Sequence, residues 1–285
     1  MLGMLLPVVA LAIALPSVTS AEAKTAKPNR IDIRYEPPKS AEHQPVYQLL
    51  KDNRALEKLR ELLSPIRLPR RLLLKTEGCD GSSNAWYDGT SVTVCYEYLD
   101  DVWKNVPDDH SHGVAPIDAL IGPMLDVFLH EVGHAVFDIL KIPLFGREED
   151  AADQFSAFIM LKFEKSEARR LILGNAYQYK ADLEWPTVSI AVQKFADEHG
   201  TAAQRFYNLL CLAYGADKEL FGDFVSKGYL PKSRAEGCED EYRQVAHAFN
   251  KLIQPWIHPG LAQKNHKRWL RPIDTPPPRR PARGN

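Results

Sequence analysis

From Ile117 to Ile142 the chain runs through a long apolar stretch that holds two histidines four residues apart, in Phe128-Leu129-His130-Glu131-Val132-Gly133-His134. Around them Ile121, Leu125, Phe128, Val132, Ala135 and Ile139 recur at spacings of three and four, the signature of a helix that buries one face. One helical turn separates the two histidines, so both imidazoles leave the same face. Polar groups buried on a helix are costly unless they find partners. The rest of the fold must therefore bring ligands or hydrogen-bond partners to that face.

His-Glu-x-x-His is also the spacing at which two imidazole nitrogens bind Zn²⁺ at about 2.0–2.1 Å, with the intervening Glu131 turned toward bound water as a base. Zinc lowers the pKa of such a water from about 15.7 toward roughly 7. With 9 His and 18 Glu among 285 residues, about 0.02 such patterns are expected by chance. The competing reading is a pair of satisfied core histidines.

A third ligand is expected downstream. Glu149 and Asp153 lie four apart at the start of the next predicted helix, about Arg147 to Lys165. They share a face, Glu149 to bind the metal and Asp153 to accept from a histidine and orient it. Glu148 and Asp150 compete for the ligand role, but the positions four residues after them are Ala152 and Gln154. The alternative is that the three acids only complement the positive end of the helix dipole. A zinc site of this kind usually draws a further hydrogen-bond donor from a later segment to hold developing charge; His199, Arg205 and Tyr207 are the candidates. Asp108-Asp109-His110-Ser111-His112 is a second polar cluster, more simply read as a loop.

The N-terminus restricts the compartment. Met1 to Ala23 carries an apolar run, Met4 to Pro16, followed by small residues, and reads as a cleaved signal peptide although Lys and Arg are missing before the run. The run is shorter than the roughly 20 residues of a membrane span, so no stable span is expected after cleavage. Four cysteines without a Cys-x-x-Cys pair suit disulfides in an exported chain. Proximity favours Cys79 with Cys95 and Cys211 with Cys238. The location is then periplasmic or secreted. Lys plus Arg number 36 against 37 for Asp plus Glu, so no global field recruits nucleic acid. Nothing in the sequence sets an oligomeric state.

The chain divides into the signal peptide (1–23), a flexible lead-in (24–40), one domain (41–256) and a basic, proline-rich tail (257–285). Val46 to Leu63 reads as one amphipathic helix, Arg70 to Lys75 and Ser91 to Tyr98 as strands, and Thr187 to Glu198, Ala202 to Tyr214 and Glu239 to Ile253 as helices. The expected fold class is α+β: a mostly helical domain with a small N-terminal sheet and the His130 helix at its centre.

His130-Glu131-Val132-Gly133-His134 followed by Glu149-Asp150-Ala151-Ala152-Asp153 resembles the gluzincin arrangement of thermolysin-like metallopeptidases, and the longer metzincin signature is missing. Asn84-Ala85-Trp86-Tyr87, Cys95-Tyr96-Glu97 and Gln204-Arg205-Phe206-Tyr207-Asn208 with Cys211 are similar to a family of exported bacterial metallopeptidases of unknown substrate, over roughly Tyr47 to Trp256. The resemblance implies a zincin-like fold, a zinc cofactor, and a peptide or protein substrate laid along a sheet edge at or beside Val92 to Tyr96. Two other readings stay open: a different zinc hydrolase, or a zinc-stabilised envelope protein that binds peptides or cell-wall fragments without turnover.

Overall fold

The computed structural model describes residues 30–110, 113–181 and 196–269. The expected signal peptide, the first part of the lead-in, most of the helix at Thr187 to Glu198, Ser111, His112 and the end of the basic tail lie outside the described residues.

The chain is mixed α+β and mostly helical. β1 (Ile31–Tyr35), a 3-10 turn (Ala41–His43), α1 (Gln44–Asp52), α2 (Ala55–Leu63), β2 (Leu72–Glu77), β3 (Ala85–Tyr87), β4 (Ser91–Cys95) and α3 (Tyr96–Lys104) come first. Then follow α4 (Pro116–Leu140), α5 (Glu148–Met160), α6 (Lys165–Ala181), α7 (Ala202–Ala216), the short α8 (Asp223–Ser226) and α9 (Lys232–Ala235), α10 (Cys238–Leu252) and α11 (Pro259–Trp269). The four strands form one sheet in the order β1-β2-β4-β3. β1, β2 and β4 are parallel, with Ile31 opposite Leu72 and Leu74 opposite Val92, while β3 is an antiparallel edge with Trp86 opposite Thr93. β4 therefore lies beside the edge, and β3 forms it.

Several boundaries differ from expectation. The lead-in read to Ser40 contains β1: Ile-Asp-Ile-Arg-Tyr alternates at the strand period, which its polar, proline-bearing surroundings obscure. The single helix read over Val46 to Leu63 is two, because Arg54 turns into the left-handed region (φ 52°). There the Tyr35 hydroxyl accepts from the Leu56 amide (2.8 Å) and donates to Glu57 (2.8 Å), fixing the start of α2 against β1. The strand read through Tyr98 stops at Cys95, and Tyr96–Lys104 is helical. Part of the tail, Pro259–Trp269, is helix α11. α6 was not anticipated, although Ala168, Leu171, Ile172, Ala176 and Tyr179 line its buried face at helical spacing.

α4 is the axis of the core. It is long and apolar enough to cross a membrane, but it is mostly buried inside the protein, as the central helix of a globular core is. α5 and α6 pack against it, and the β4 side of the sheet covers another flank. Glycines set the closest approach. A Cβ at Gly174 on α6 would sit 1.9 Å from the Asp118 carbonyl oxygen, and one at Gly122 on α4 would sit 2.6 Å from the Asn175 amide nitrogen. The two backbones touch where side chains are missing. Gly174→Ala is therefore expected to force the helices apart and cost about 3 kcal/mol, measured by urea unfolding; wild-type stability would contradict this crossing.

Both disulfides pair as proximity favours. Cys79–Cys95 joins the loop after β2 to the end of β4 (Cα–Cα 5.6 Å), and Cys211–Cys238 joins α7 to α10 (5.0 Å). Two disulfides point to an oxidising environment.

Candidate metal centre

Four side chains converge at the polar face of α4. His130 and His134 project from it one turn apart, Glu149 comes from the first turn of α5, and His199 stands just before α7. Gly133, inside the motif, lets α5 come close: a Cβ there would lie 3.2 Å from the Ala152 Cα. The start of α7 is fixed by a reciprocal cap, the Thr201 hydroxyl accepting from the Gln204 amide while the Gln204 side chain accepts from the Thr201 amide.

His130 Nε2 lies 3.2 Å from His134 Nε2 and 3.0 Å from Glu149 Oε2. His134 Nε2 lies 3.5 Å, and His199 Nε2 2.7 Å, from the same Glu149 oxygen. Among the described residues, His130, Glu149 and His199 offer ligand atoms all within 4.8 Å of one another, close enough to hold one metal ion. Nitrogen and oxygen ligands placed tetrahedrally around zinc at about 2.0–2.1 Å stand about 3.3 Å apart. The spacings of His130, His134 and Glu149 bracket that value, and imidazole plus carboxylate is a donor set that suits zinc. The residues present fit the metal.

The outward nitrogens of both rings are also engaged. His130 Nδ1 is 2.8 Å from Asp153 Oδ1, the orienting contact expected from the Glu149/Asp153 spacing. His134 Nδ1 is 2.8 Å from Glu148 Oε1. The sequence signals Glu148 only as a rival ligand, and no spacing in it reveals this second contact. Asp150 turns away to an exposed pair with Arg147.

Electrostatics follow from burial and charge. Burial alone would lower the His130 pKa, but hydrogen bonds to Asp153 and Glu149 outweigh it and raise the value to about 10. Glu149 is held well below the carboxylate range; burial opposes this, and hydrogen bonds from His130, His134 and His199 overcome it. Glu131 is buried, and burial raises its pKa, while the neighbouring histidines offset part of the rise. A carboxyl group pushed toward neutrality in this way suits a base or acid working near pH 7. The hydrogen bond to Glu149 raises His199.

Of the three candidates for an added donor, His199 alone joins the cluster. Arg205 reaches Asp153 instead, its Nε 2.8 Å from Oδ2 and its Nη2 2.5 Å from Oδ1. Tyr207, two residues along α7, packs edge-on against Phe206 with ring centroids 5.4 Å apart.

The fold and site are those of a mostly helical α+β domain with a buried carboxyl group beside a histidine–carboxylate cluster able to hold a metal. The chain belongs to the DUF4344 family, described as "Putative metallopeptidase", which it matches over residues 35–253. No curated protein and no solved structure matches it.

Proposed function

We propose that this protein is an exported zinc peptidase of the gluzincin arrangement, with a zincin-like fold, acting on a peptide or protein substrate in the periplasm or outside the cell. The observation that carries the reading is the convergence of His130 Nε2, His134 Nε2 and Glu149 Oε2 within 3.0–3.5 Å of one another, next to a buried Glu131. Zinc held there would supply Lewis acidity and a lowered water pKa.

The chain's own groups divide the remaining work. Asp153 and Glu148 accept at the Nδ1 atoms of His130 and His134, so each ring presents Nε2 to the cluster. Glu131 takes a proton from the attacking water and returns it to the leaving amine. His199, whose charged form is favoured by its contact with Glu149 (2.7 Å), stands beside the cluster to offset oxygen charge that develops there. β3, outermost in the sheet among the described residues, is the strand to which an extended peptide would add by backbone hydrogen bonds. The Tyr87 hydroxyl donates to Asp138 Oδ2 (2.8 Å), which fixes that strand beside α4 one turn beyond His134.

The reading of a zinc-stabilised envelope protein without turnover needs ligands only; a buried Glu131 has no task in it. A metal-depleted sample and the same sample reloaded with one equivalent of zinc should be compared on a quenched-fluorescence peptide library. Hydrolysis is expected only after reloading. Stoichiometric zinc without hydrolysis of any peptide would favour the binding reading.

A further inference from the structure

Behind the cluster, on the far side of His130, a partly buried polar network joins four helices. Asp153 on α5 meets His130 Nδ1 at 2.8 Å through Oδ1. Arg205 on α7 grips both oxygens of the same carboxylate, Nε to Oδ2 and Nη2 to Oδ1. The guanidinium carbon lies 4.9 Å from the centre of the Tyr179 ring on α6. The Tyr179 hydroxyl donates to Asp126 Oδ2 (3.2 Å), and Ser156 donates to Asp126 Oδ1 (2.6 Å). Asp126 stands on α4 one turn before His130, and both it and Tyr179 are buried.

We infer that Arg205 is a positioning residue for the metal site, acting on His130 through Asp153. A carboxylate held by one imidazole can rotate about its bond to the chain; one gripped by a two-pronged guanidinium cannot, because the planar fork fixes its plane. Oδ1 is thereby kept in line with the Nδ1–H of His130, and the opposite nitrogen stays aimed at Glu149 and His134. Tyr179 and Asp126 supply the reason Arg205 stays put: the ring faces the guanidinium, and the Asp126 carboxyl adds to the acidic surroundings that favour its charge. Two of its donor nitrogens are used on Asp153, on the side of His130 away from the cluster. The role of a direct donor to substrate, which its position in the sequence suggested, therefore passes to His199.

The inference rests on His130 being a zinc ligand, and its test is a zinc dissociation constant. Wild type, Arg205→Lys, Arg205→Met, Asp153→Ala and the double variant Asp153→Ala/Arg205→Met are titrated against a chromophoric chelator. Each is held at a temperature where circular dichroism shows the metal-free chain fully folded. Arg205→Met is expected to weaken zinc by about 10–100-fold, the range for partners that orient a ligand. Arg205→Lys, which keeps the charge and loses the fork, should fall between it and wild type. In the Asp153→Ala background, removing Arg205 should change affinity by less than about twofold, because the effect passes through Asp153. Wild-type affinity in folded Arg205→Met would overturn the inference, and so would a full independent loss in the double variant. If Arg205→Met does not fold, Arg205→Lys decides: a several-fold loss supports the inference and unchanged affinity ends it. Wild type that binds no zinc would bring down the metal site itself, whereas zinc binding indifferent to Arg205 removes this inference alone.

Discussion

Glu131→Gln is expected to keep stoichiometric zinc and the fold while turnover of any cleaved peptide falls by about 10²–10⁴-fold, the range for a lost general base. The amide matches the carboxyl in shape and cannot accept the water proton. Glu131 is not among the groups proposed to hold the metal, His130, His134 and Glu149, so metal content has no reason to change. The raised pKa also gives the sign of a control: loss of the base should remove the acidic limb of the pH–rate profile, because that limb reports protonation of Glu131 as pH falls. Unchanged turnover would end the mechanism.

Zinc affinity should be lost most severely in Glu149→Ala, by more than the roughly 10–100-fold attached to orienting partners. Its Oε2 is shared by three histidines, at 2.7–3.5 Å. Asp153→Ala removes the partner of His130 and should fall within that range. Glu148→Ala should cost less, because its carboxylate is half exposed and water can take its place on His134 Nδ1. Asp150→Ala should be close to neutral, since its partner is the exposed Arg147. Zinc dissociation constants for the four variants test this order; a larger loss in Asp150→Ala than in Glu149→Ala would break the Glu-x-x-x-Asp reading.

The metal-site geometry was the part most legible in sequence, because helix periodicity converts spacing into direction. A separation of four positions from His130 to His134, and of four from Glu149 to Asp153, places each pair on one face whatever else the chain does. Chemistry then leaves few arrangements for two such faces that pack together. The sheet is half legible: Arg70 to Lys75 and the alternating run from Ser91 read as strands, but Ile31–Tyr35, which also alternates, is hidden by polar neighbours. α6 carries helical apolar spacing that includes Tyr179, but without a motif or a turn signal to set it apart. What no local pattern carries is a contact between separate elements that depends on side-chain reach. The bonds from Glu148 to His134 and from Arg205 to Asp153 are of that kind. Asp126 gave a signal of its own, a carboxyl group inside an apolar stripe one turn before a candidate ligand, since a buried acid needs a partner close by.

The central claim is that α4 carries a zinc site, and metal analysis of the protein after exhaustive dialysis tests it most directly, with wild type measured beside His130→Ala and His134→Ala. The predicted result is one zinc per wild-type chain and far less than one in each variant, with all three chains folded. Stoichiometric zinc retained by both variants would place the metal elsewhere and contradict the account.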